Sequence, residues 1–125
     1  MSAESKFKIT TEIRGILLDE PKLTSIVGEK IFPIKAPKDT PGDFILYQRD
    51  EYSKEYNKMA ITSQTCKVFV TAISEDYDKS QELAYQINEC LEGVFDDPDM
   101  AIKLIDSTED YEDGKFIQVL LFEIQ

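Results

Sequence analysis

Residues 65–73, TCKVFVTAI, alternate without a break, with Cys66, Val68, Val70 and Ala72 on one side and Lys67, Phe69, Thr71 and Ile73 on the other. A period of two predicts a strand, packed fully on its first face and partly on its second. The pattern then changes to a helical one. Tyr77, Leu83, Ala84, Ile87, Leu91 and Val94 define an apolar stripe that begins near Asp78 and is ended by Gly93. Asp78 and Gln81 have the spacing of a capping box, and Glu75, Asp76 and Asp78 lie where the helix dipole favours negative charge. Helix initiation therefore accounts for the acids at this join.

Upstream, KFKITTEIRGILL (6–18) places Ile9, Ile13, Ile16 and Leu17 at helical spacing after Ser5 as N-cap. Pro21 stops that helix and suits the first turn of a second one, PKLTSIVG, which buries Leu23, Ile26 and Val27 and is closed by Gly28. KIFPI reads as a short strand held at an edge by Pro33, and KAPKDTPGD (35–43) as a loop. FILYQRDEY (44–52) is the next strand. SKEYNKMAIT (53–62) has no clear period and reads as a long, mobile connection. After a turn at FDDPDM, residues 101–125 form a terminal hairpin about Asp113-Gly114. In its last strand Phe116, Gln118, Leu120, Phe122 and Ile124 oppose Ile117, Val119, Leu121 and Glu123. A strand apolar on both faces is central, or is covered by a partner subunit.

These elements make one α+β domain over residues 1–125: an antiparallel or mixed sheet of about five strands, with an N-terminal helix pair and one long helix packed on it. An apolar fraction of 42% is that of a folded domain. No run of about 18 apolar residues is present, and the N-terminus lacks a signal-peptide core, so the expectation is a cytosolic protein without a membrane role. The net charge of −11 is uneven. Residues 1–62 hold ten Lys/Arg and ten Asp/Glu, whereas 63–125 hold four and fifteen. Such a surface repels phosphate backbones, which argues against nucleic-acid binding through a basic face.

Candidate chemistry is sparse. There is no histidine, the commonest general base and transition-metal ligand. The carboxylates of DDPD (Asp96, Asp97, Asp99) and of DSTEDYEDG (Asp106, Glu109, Asp110, Glu112, Asp113) suit hard cations, but neither has the spacing of a calcium loop. Cys66 and the serines lack a motif that would activate them, and the five glycines are scattered singly. Cys66 and Cys90 read as buried thiols. The expectation is no catalytic, cofactor-binding or metal-binding residue. Tyr47, Tyr52, Tyr56, Met59 and Ile61, in or beside the long connection, have the composition of an interface, or else cover the sheet edge locally.

The order of these features resembles the tail-completion (tail-terminator, head-tail joining) proteins of long-tailed bacteriophages and prophages. The resemblance rests on LTSIVGEKIFP, on APKDTPGDFILYQ with its prolines, and on the strand-to-helix run from Val68 to Leu91. It implies a structural, non-enzymatic virion protein without cofactors. Such proteins form a ring, typically hexameric, on the head-proximal end of the tail tube, where the ring stops polymerisation and meets the head connector or stopper. It further implies assembly in the bacterial cytoplasm, residence in the virion tail, and DNA passing without specific binding. In that setting Glu109, Asp110, Glu112 and Asp113 are candidates to line the lumen. A second reading of the acidic half is an adaptor or inhibitor that binds a basic partner.

Overall fold

A computed structural model describes residues 7–56, 61–96 and 99–125, with the backbone alone for 51–56, 61–64 and 99. The first apolar stripe forms helix α1 (Ile9–Leu18), which buries Ile9, Ile13 and Leu17; Ser5 lies outside the described residues. Helix α2 (Pro21–Val27) starts with Pro21 in its first turn and with the Glu20 carboxylate accepting from the Lys22 N–H at 3.1 Å. Gly28 follows at φ 64°, a conformation that favours glycine. Strand β1 (Ile31–Pro33) then leads through the 34–43 loop to β2 (Phe44–Tyr56).

Strand β3 (Ile61–Ser74) pairs antiparallel with β2 from Phe44↔Ile73 to Tyr56↔Ile61. The expected long connection is therefore a correction. Tyr52, Tyr56 and Ile61 belong to paired strands, while Met59 lies outside the described residues. The segment shows no alternation because β3 meets β6 only from Cys66 onward, so residues 61–65 have β2 as their one strand neighbour among the described residues.

Helix α3 (Tyr77–Leu91) buries Leu83, Ala84, Ile87 and Leu91 as its stripe predicts, and buries Ser80 as well. The anticipated capping box is absent. Asp76 is the N-cap, so Asp78 already lies in the first turn, and the Ser74 hydroxyl accepts from the Asp76 N–H at 3.1 Å instead. Val94, assigned to the stripe, is 79% exposed in a strand that sequence pattern did not predict, β4 (Gly93–Asp96). Strand β5 (Asp99–Glu112) turns through Asp113 (φ 54°) and Gly114 (φ 79°) into β6 (Lys115–Ile124). Two successive positive φ angles are those of the tight hairpin turn anticipated for Asp-Gly.

Among the described residues the result is α+β: three helices and a mixed six-stranded sheet in the order β1-β2-β3-β6-β5-β4, against about five strands expected. Of the pairings described, β1–β2 is parallel and the rest are antiparallel, and β1 with its Pro33 stands at the edge. All three helices lie on one face. Between them and the sheet the core gathers Ile45, Tyr47, Cys66, Val68, Val70, Ala72, Leu120, Phe122 and Ile124 with the buried helix residues. β6 lies inside the sheet between β3 and β5, the first of the two alternatives its apolar faces left open, and burial alternates along it.

Candidate functional site

With the helices on one face, no helix covers the other face of the sheet among the described residues, although Phe44 and Ile73 at its end beside the 35–43 loop are buried. Its register sets Leu46 beside Thr71, Thr71 beside Val119, Gln48 beside Phe69 and Phe69 beside Leu121; Gln48 is exposed and the others are half-buried. A concavity of about 180 Å³ lies over Leu46, Phe69, Thr71 and Val119, with Ile34 at its margin. Ile34 is 64% exposed at φ 66°, a backbone conformation that strains a β-branched residue.

A larger groove of about 510 Å³ runs between the 35–43 loop and the β5–β6 turn. Its floor is Phe44, Leu46, Ile73 and Ile117, and its rim carries Lys35, Asp39, Glu112, Asp113 and Lys115. Lys115 links the two sides. Its ammonium donates to the Thr40 carbonyl at 3.3 Å, pairs with Glu75 at 3.5 Å, and stands 5.3 Å from the Phe44 ring centroid. The loop is braced at its other end, where Lys30 donates to the Pro41 carbonyl at 2.8 Å.

The four acids of the terminal hairpin do not act as one group. Glu109 lies opposite Gln118 on the helix side of the sheet, and its Oε2 accepts from Gln118 Nε2 at 2.7 Å and from the Tyr77 hydroxyl at 2.8 Å. The Gln118 amide, buried with Ser80, also donates to the Ser80 hydroxyl at 3.2 Å. The bond from Gln118, and then that from Tyr77, holds the Glu109 carboxyl below its ordinary pKa; the hydrogen bond to Glu109 in turn raises the Tyr77 phenol. Asp110 and Glu112 are exposed, and Asp113 sits in the turn on the groove rim. Of the aromatic set, Tyr47 is buried in the core at 8% exposure. The structure does not bring it together with an exposed cluster, and alternation alone would have put it on the same face as Ile45.

Cys66 is buried, and Cys90 stands half-buried against the Ile16 carbonyl, pushed up to about 11 by burial and then by the charge of Glu20. Among the described residues no three Cys, Asp or Glu side chains are grouped to hold an ion.

No protein-family model matches the sequence, and no curated protein matches it. A solved structure described as "Virion of native gene transfer agent (GTA) particle" contains a chain of similar fold. The TM-score is 0.74 at 12% identity, over 90% of this chain and 89% of that one. At that identity the likeness is one of fold, and it is nearly coextensive in both chains.

Proposed function

We propose that this chain is a structural subunit of a phage-like particle, one that closes the head-proximal end of the tail tube as a ring and joins it to the head connector. The observation behind this reading is the fold likeness to a gene transfer agent virion chain across nine-tenths of both proteins. The sequence resemblance to tail-completion proteins supplies the finer role. An uncovered sheet face with apolar residues at its centre suits a protein whose surface is completed by neighbours. In this reading the ring, taken as hexameric, contacts the tail tube protein below and the connector or stopper above. It is built in the host cytoplasm and resides in the virion tail, and it performs no catalysis. Asp110, Glu112 and Asp113 are the hairpin acids available to a lumen, while Glu109 has its Oε2 engaged by Gln118 and Tyr77.

Electron microscopy of lysates from a host lacking this gene tests the proposal. The expected outcome is filled heads separate from tails of abnormal length. Intact, infectious particles of normal tail length would refute it.

A further inference from the structure

β5 is a fourteen-residue strand with β6 along one side, but β4 covers its other side only from Asp99 to Ile102. From Leu104 to Tyr111 the outer edge has no strand partner among the described residues. Three N–H groups on that edge bond to carboxylates instead of to a strand. Leu104 donates to Glu92 at 3.0 Å, Ser107 to the side chain of Asp106 at 2.9 Å, and Tyr111 to that of Asp110 at 2.8 Å. The bulge between Leu104 and Asp106 turns Ile105 out, and Ile105, Tyr111 and Val94 are exposed along the same edge at 39%, 58% and 79%. From 104 to 113 the charges are Asp106, Glu109, Asp110, Glu112 and Asp113, with no lysine or arginine among them.

We propose that this edge of β5 docks an extended basic segment of another protein, added to the sheet as a seventh strand. Docking moves the Ser107 and Tyr111 N–H groups from their own aspartates to carbonyls of the incoming strand. The released carboxylates then meet its lysines or arginines, and Ile105, Tyr111 and Val94 meet its apolar positions. The same carboxylates keep the edge from pairing with a second copy, because each copy presents acid to acid and the whole chain carries −11. A basic partner is selected by charge, and an extended one by the unpaired main chain. The inference rests on this edge alone and holds whether or not the chain ends phage tails.

The probe is a short peptide alternating lysine with valine and threonine, titrated into the full chain while backbone amide resonances are followed by NMR. The expected result is binding that perturbs the amides of residues 104–111 and weakens as salt is raised. A peptide of the same charge with N-methylated alternate amides, and one with glutamate in place of lysine, should both fail to bind. Ser107→Pro removes an outward N–H, a position where an edge strand tolerates proline, and is expected to weaken binding roughly tenfold or more. Should that variant misfold, the exposed pair Asp106→Asn/Asp110→Asn serves, with binding weakened and its salt dependence reduced. Equal binding of the N-methylated peptide would mean charge without strand addition and would overturn the proposal. So would perturbation confined to other residues, absence of binding, or protection of the same amides by self-association without peptide.

Discussion

At the scale of single residues, the most informative position is Ile34. A β-branched side chain at φ 66° is strained, and here it is also exposed at the margin of the uncovered sheet face. Its N–H donates to the Tyr47 carbonyl at 2.8 Å, which holds the chain in this conformation as it leaves β1. Ile34→Gly relieves the left-handed strain but adds flexibility to the unfolded chain, so a net gain of about 1 kcal/mol is expected in urea unfolding. A loss of stability would show that the side chain is held by packing rather than merely tolerated. Glycines were easier to read. Gly28 after an apolar helical run and Gly114 after Asp113 lie where only local backbone geometry matters, and both have the positive φ their contexts imply. Ile34 follows a proline and otherwise has no local mark of its conformation, which depends on the bond to Tyr47.

At the scale of elements, α3, β5 and β6 are locked by polar groups inside an otherwise apolar contact. Ser80 replaces an apolar residue on the buried face of α3, Gln118 does so on β6, and Glu109 completes the chain from β5. Gln118→Ala is expected to cost about 1–2 kcal/mol in urea unfolding, because it removes the two bonds that Gln118 donates, while the Ser80 hydroxyl keeps its bond to the Tyr77 carbonyl and the exposed Glu109 keeps its bond from Tyr77. The pH dependence follows from Glu109. Its carboxyl is depressed in the folded protein, so it stabilises the fold above its unfolded value of about 4.3, and that stabilisation is lost as pH falls through the lower folded value. Glu109→Gln should therefore show a shallower loss of stability on acidification than the natural chain, as measured by thermal unfolding across pH. Periodicity revealed α1, α2, the body of α3, β3 and β6, since each buries one regular stripe. It did not reveal β4, a four-residue strand in which Phe95 packs against the core while Val94 is exposed, or the far ends of β2 and β3, which are held together by main-chain pairing.

At the scale of the whole molecule, part of the acidic excess visible along the chain is concentrated in space. The acids of residues 104–113 gather along β5 and its turn. Lys35 and Lys115 stand with Glu112 and Asp113 on the rim of the groove between the 35–43 loop and the β5–β6 turn. If the chain forms a ring about passing DNA, reversing Asp110, Glu112 and Asp113 to lysine should slow DNA ejection in a single-particle assay; unchanged ejection would remove these residues from the lumen. The sequence by itself determined the α+β class, the order of most elements, the terminal hairpin turn and the acidic excess, because periodicity, turn chemistry and charge are local properties. Only the tertiary structure decided which sheet face is covered, that Glu109 is bound to Gln118 while Asp110 is exposed, and that one edge of β5 lacks a strand. Those depend on register and strand order, which bring together residues far apart in the chain.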